Sequence, residues 1–154
     1  MPDDLYHRDL LAWSQHQADL LRRLGRGERV NDIDWELVAE EIEDVGRSEL
    51  RGTRNNLRLL ILHLLKLRGW PASRAANHWR SEIIAFQAEA AEDFAPSMRQ
   101  NLDIAALYRI ALRQVQQDRQ GGKSPRALPT ECPFTLDQLL RTDPAILEDM
   151  PSAL

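Results

Sequence analysis

The chain has one cysteine, Cys132, so no internal disulfide can form and no zinc site built on a cysteine pair can exist. It also lacks a long hydrophobic run. The most apolar stretch, Leu57 to Leu67, holds eight apolar residues of eleven, whereas a bilayer-spanning helix needs about 20. That stretch is apolar around its whole circumference, which argues for a core helix and against an amphipathic surface anchor. Met1 to Asp9 contains Asp3, Asp4 and Asp9 and no apolar run, so no secretory or organelle leader is visible and the cytoplasm is the expected compartment. No Gly-rich phosphate loop, serine elbow or dinucleotide fingerprint occurs. Strand alternation bounded by hairpin turns is missing too, as are internal repeats.

What is present is an ordinary globular composition: 154 residues, 43% hydrophobic and 29% charged, with a net charge of −4. That length suits a single helical domain over 1–154, burying about 70% of the surface an unfolded chain exposes. The mild negative charge gives no general attraction to nucleic acid or to anionic membranes, so either partner would have to meet a local patch.

Helical punctuation is frequent. Tyr6, Leu10, Trp13, Leu20 and Leu24 recur at helical spacing, with Asp3 or Asp4 as caps and a stop at Gly25 and Gly27, which predicts a helix over about 4–24. Asp34 as cap, Glu36 at the positive end of the dipole and Ile33 stapled onto Val38 open a second helix. Its apolar pattern runs from Trp35 through Val38, Ile42, Val45, Leu57, Leu60, Leu64 and Leu67, predicting a helix over 35–68. Gly46 and Gly52 make the middle of that helix weak, so curvature is expected there.

A third helix over about 74–94 follows Ser73 as cap, with Trp79, Ile83, Phe86, Ala90 and Phe94 on one face and Pro96 as stop. Ser97 and Gln100 form a capping box for a fourth helix, 98–119, striped by Leu102, Ala105, Tyr108, Leu112 and Val115. Prolines at 125, 129 and 133 predict an extended strap after Gly121 and Gly122. Thr135 and Gln138 then cap a short helix from Leu136 to Arg141, with Phe134 stapled onto Leu139, and Pro144 suits one last turn. The expected fold is all-α: a four-helix bundle-like core with one long helix and a C-terminal strap with short helices over 121–154.

The acidic cluster Glu36, Glu40, Glu41, Glu43 and Asp44 could in principle bind a hard metal or act as acid and base, with Glu40, Glu41 and Asp44 the candidate ligands. Spacing limits this. His63 lies 19 residues beyond Asp44, about 28 Å along an unbroken helix. The Glu-x-x-His pairs of di-iron bundles are absent, and no two histidines stand four apart. A solvated acidic face is the commoner origin of such a cluster. His63, flanked by Leu62 and Leu64, reads as a hydrogen-bonded core histidine, and Cys132 as a packed thiol with no base assigned to it.

The strongest pattern is electrostatic. Glu36, Glu40, Glu43, Arg47, Arg51, Arg54 and Arg58 are spaced four, three, four, four, three and four, forming one helical stripe that changes sign midway. Between positions 28 and 44 there are eight acids and one base; between 47 and 80 there are eight bases and one acid. Acids at a helix start and bases further on also suit the macrodipole of a plain solvated helix. As an interaction surface, the stripe would let two copies pack antiparallel, acidic half against basic half, with the polar middle around Gly52 near the twofold axis. The run Arg47, Arg51, Arg54 and Arg58 could follow a phosphate backbone, but the acids on the same face oppose that use.

The segment Leu37-Val38-Ala39-Glu40-Glu41-Ile42-Glu43-Asp44-Val45-Gly46-Arg47-Ser48-Glu49 resembles a bacterial family catalogued as domain of unknown function 29. The likeness continues in His63-Leu64-Leu65-Lys66, Trp79-Arg80, Glu131-Cys132-Pro133-Phe134 and Leu139, covering Tyr6 to about Leu140. The family pattern has lysine where Arg47 stands and serine where His78 precedes the tryptophan. The resemblance implies an all-α bacterial protein with no assigned activity and names no catalytic residue. The sequence therefore points to a non-enzymatic helical module that needs no cofactor and meets a protein partner or its own copy. A metal-dependent or acid-base enzyme and an arginine-stripe nucleic-acid binder are the competing readings.

Overall fold

A computed structural model of the chain describes residues 2–141, with the side chains of residues 2–4 outside that description. The described residues form six α-helices and one 3-10 segment: α1 (Pro2–Arg8), α2 (Leu10–Gly25), α3 (Trp35–Gly69), α4 (Ala76–Asp93), the 3-10 turn Pro96–Asn101, α5 (Ile104–Gln117) and α6 (Leu136–Leu140). The all-α class read from the sequence is the class found. Among the described residues no helix is long and apolar enough to cross a membrane. The chain divides into two compact units, Met1–Arg47 and Ser48–Leu154, and α3 runs through the boundary as one 35-residue helix.

In the first unit, the predicted opening helix is two. Asp9 separates α1 from α2, and its carboxylate accepts from the Ala12 amide at 2.9 Å as the cap of α2. The caps expected at Asp3 or Asp4 concern side chains outside the description. Trp13 and Leu20 are buried, and Tyr6 meets the Trp13 ring edge-on at 4.9 Å. Gln17, also buried, takes hold of the loop ahead of α3. Its Nε2 donates to the Asp32 carbonyl, and its Oε1 accepts from the Asp34 amide at 2.9 Å. Asp34 in turn caps α3 by accepting from the Leu37 amide, so one buried amide and one carboxylate set where the long helix begins.

The second unit is organised by the rest of α3. Leu57, Leu60, Ile61, Leu62, Leu64 and Leu65 are all buried and span about 200° of the helix circumference, with Leu59, His63 and Leu67 half-buried on the remaining arc. Trp79, Ile83 and Ala90 of α4 and Leu107, Tyr108, Ala111, Leu112 and Val115 of α5 belong to the same core. The fourth predicted helix starts later than expected. Pro96–Asn101 makes a 3-10 turn instead, and α5 opens at Ile104 with Asp103 as its cap, accepting from the Ala106 amide. A competing carboxylate cap six residues on therefore outweighs the Ser97 and Gln100 capping box. The Ser73 hydroxyl accepts from the Ala75 amide, one residue short of α4.

The strap is tied rather than loose. The Arg126 amide donates to the Gly69 carbonyl at 2.9 Å, the Trp70 indole donates to the Lys123 carbonyl at 3.0 Å, and the Tyr108 hydroxyl donates to the Pro129 carbonyl. Gly121 and Gly122 supply the positive φ values of the turn at its start. Thr135 and Gln138 form the expected capping box of α6, and buried Gln87 of α4 donates to the Leu139 carbonyl. The last turn expected at Pro144 lies outside the described residues.

The three glycines of α3 occupy different surroundings. A Cβ at Gly69 would sit 2.9 Å from Pro125 Cβ, whereas at Gly46 and Gly52 it would meet nothing within 4 Å. Gly46→Ala and Gly52→Ala should each stabilise the protein by about 0.5–1 kcal/mol through helix propensity. Gly69→Ala should cost about 1–3 kcal/mol by overpacking against a proline the backbone holds in place. Urea unfolding of the three variants checks this, and a stabilising Gly69→Ala would contradict the packing.

Candidate functional site

The stretch of α3 from Ile42 to Gly52 is exposed at every position except half-buried Leu50. A helix left this bare needs support from its own side chains. Arg47 provides it: its Nε lies 2.8 Å from Asp44 Oδ1 and its Nη1 3.4 Å from Glu43 Oε2. These i,i+3 and i,i+4 partners hold the guanidinium above its ordinary value, the Asp44 hydrogen bond first among the causes. Arg47 is thus occupied within its own helix.

The other stripe residues differ. Glu36, Glu40, Arg51 and Arg54 are exposed and Arg58 is half-buried. Among the described residues none of the five forms a salt bridge; Arg54 donates to the Asn101 carbonyl and Arg58 to the Asn55 side chain. Glu36, Glu40 and Glu43 lie in the first unit, Arg51, Arg54 and Arg58 in the second. Two acids and three bases without an ion pair among the described residues, beside a Glu43 that shares Arg47 with Asp44, are groups with capacity for partners.

The members of the acidic cluster have different partners. Glu41 accepts a hydrogen bond of 2.6 Å from the Tyr6 hydroxyl, which ties α1 to α3. That bond, with burial and the nearby charges of Glu41, Glu40 and Asp44 adding to it, pushes the Tyr6 hydroxyl up to about 12. With Glu41 turned toward Tyr6 and Asp44 toward Arg47, the candidate ligands Glu40, Glu41 and Asp44 have different occupations. No group of three His, Cys, Asp or Glu side chains able to hold a metal is present among the described residues.

His63 and Cys132 are the remaining groups with catalytic chemistry. The His63 Nδ1 lies 2.7 Å from the Leu59 carbonyl and the ring packs near Phe86, the satisfied arrangement expected of it. The Cys132 thiol donates to the Phe134 carbonyl, and burial raises it above its ordinary value, which keeps it protonated.

The apolar pattern that helps define the long helix is uncovered over its first turns. Trp35, Ile42 and Val45, the first of its large side chains with Val38, are 61%, 68% and 65% exposed. They lie about 140° around the helix from Glu36, Glu40 and Glu43. With Leu10, Leu11 and Leu24, the first unit carries six of the eight large apolar side chains that are exposed among the described residues. Periodicity registers which residues share a face, not whether anything covers it.

The sequence model of a family described as a domain of unknown function, DUF29, matches residues 5–144, so the chain belongs to that family. It is also similar to an α-helical protein of unknown function from Rhodospirillum rubrum, known from a crystal structure. The TM-score is 0.66 at 29% identity, covering 95% of this chain and 98% of that one. No curated protein matches it.

The state of His63 gives a pH signature. Its half-burial holds the imidazole below the ordinary 6.5, against the opposing pull of the Leu59 carbonyl. An unfolded chain takes up the proton at the ordinary value, so it binds more protons than the folded protein just below 6.5, and stability falls as the pH drops through that point. His63→Gln should lose less melting temperature than the wild type between about pH 7.5 and 5.5. Equal losses in both proteins would contradict the assignment.

Proposed function

We propose that this member of the DUF29 family is a non-enzymatic helical interaction module that pairs with a second copy of itself through the charged face of α3. One observation carries the reading: the order of charges on the stripe is self-complementary. The intervals four, three, four, four, three, four read the same in both directions about Arg47. An antiparallel copy centred there sets Glu36 opposite Arg58, Glu40 opposite Arg54 and Glu43 opposite Arg51, and the same three pairs recur on the other side of the twofold axis.

The centre of that register supports it as well. Arg47 would face its own twin, a like-charge contact, but each copy already neutralises it with Asp44 and Glu43. The polar middle thus centres on Arg47 rather than on Gly52. Net charges agree in direction: residues 1–47 hold twelve acids and six bases, and residues 48–154 hold twelve acids and fourteen bases. An antiparallel pairing brings the acidic part of one copy to the basic part of the other.

Magnitude sets the strength. Exposed ion pairs are each worth about 0–1 kcal/mol and are screened by salt. The stripe therefore specifies a weak, salt-sensitive dimer whose orientation is better defined than its affinity.

The exposed apolar face favours a second reading of the same kind. Fully burying Trp35, Ile42 and Val45 would contribute about 1.5–3 kcal/mol per side chain. A dimer held there would be tighter and insensitive to salt.

Charge exchange separates the two. Light scattering at low salt should find the wild type dimeric, and Arg51→Glu/Arg54→Glu and Glu40→Arg/Glu43→Arg each monomeric alone. An equimolar mixture of those two variants should be dimeric again, because every reversed charge then meets a reversed partner. A monomeric wild type, or a mixture that stays monomeric, would overturn the charged interface. A dimer that survives both reversals and high salt but is lost in Ile42→Ser would move it to the apolar face.

A further inference from the structure

Away from α3's open stretch, the second unit contains a cleft of about 740 Å³ between the turn that joins α3 to α4 and the turn at the start of the strap. We infer that this cleft binds a small organic anion bearing a phosphate or diphosphate, its charge held by Arg74, Lys123 and Arg126.

Three features carry the inference. The first is sign. Arg74, Lys123 and Arg126 all line the cleft and no aspartate or glutamate does, in a chain with more acids than bases. Among the described residues, no hydrogen bond or ion pair engages the side-chain heads of these three, unlike Arg23, Arg26, Arg47 and Arg99, each of which is paired with a carboxylate. Cations grouped without counter-charge repel one another, and an anion seated among them relieves that repulsion.

The second feature is construction. The two turns are joined by the Arg126 amide on the Gly69 carbonyl and the Trp70 indole on the Lys123 carbonyl. The absence of a side chain at Gly69 lets Pro125 close against α3. Lys123 and Arg126 therefore stand on backbone fixed to the end of the long helix, and Arg74 stands two residues ahead of α4. A site whose charged groups are carried by braced backbone loses less entropy when it closes on a ligand.

The third feature is the wall. Trp70, Pro71 and Ala75 supply apolar surface, and the volume falls within the range of small-molecule sites. Guanidinium forks match phosphate oxygens two at a time, the lysine adds a point charge, and the apolar wall takes the organic body.

Isothermal titration calorimetry of the full chain at low salt, with inorganic pyrophosphate and with adenosine diphosphate as a probe carrying an organic body, tests this. Saturable binding of at least one probe is expected. It should weaken about tenfold or more in Arg74→Ala/Arg126→Ala, as removal of charge-assisted hydrogen bonds requires. Arg109→Ala, an exposed arginine of α5 outside the cleft, should bind like the wild type. All three side chains changed are exposed, and matching far-ultraviolet circular dichroism spectra would show that folding is retained. Absence of saturable binding for both probes, or equal weakening by Arg109→Ala, would overturn the site.

Discussion

The burial of α3 from Leu57 to Leu65 is the constraint on which the second unit is built. Buried leucines and an isoleucine take up more than half the circumference of those turns, too wide an apolar face for a helix lying on a surface. α4, α5, α6 and the strap do the enclosing, and each is held at a defined point. Gln87 bonds the end of α6, the Tyr108 hydroxyl bonds the strap at Pro129, and Gly69 admits Pro125. His63 is tolerated in this surround because its ring bonds the carbonyl one turn back. The packing explains why the protein needs no disulfide.

The same helix leaves its core before it ends. A bare helical segment as short as Ile42 to Gly52 is marginal in water by itself, since nucleation is costly and few residues propagate it. Here it continues from an anchored half on one side and a capped start at Asp34 on the other, and Arg47 braces it with two carboxylates. That combination leaves both its charges and its apolar side chains open to solvent. The proposed interaction role draws its support from this physical situation: the segment is helical, yet most of its surface is exposed.

Much of the architecture was legible because its signals are local. The Asp34 cap, the glycine stops, the Thr135 and Gln138 box and the proline strap are each decided within a few residues. Local signals also misled where two competed. Asp9 splits the first helix, and Asp103 takes the start of α5 away from Ser97. Contacts between distant residues were not legible at all. Gln17 bonding residues 32 and 34, Tyr6 bonding Glu41, and cations lining one cleft from positions 74, 123 and 126 carry no spacing signature. The charged stripe is readable as a line, but the exposure of Trp35, Ile42 and Val45 is not, because periodicity does not register what covers a face.

The proposed antiparallel pairing of α3 with its twin about Arg47 is tested most directly by intermolecular distances. Spin labels at Ser48→Cys and, separately, at Ala39→Cys in a Cys132→Ser background leave every charge of the stripe in place. The register offsets the Ser48 labels by about 3 Å along the helix axis and the Ala39 labels by about 24 Å, at 1.5 Å per residue. Pulsed dipolar spectroscopy should therefore give a clearly shorter distance for Ser48 than for Ala39. Equal distances at the two sites, the mark of parallel pairing, or no intermolecular coupling at either would contradict it.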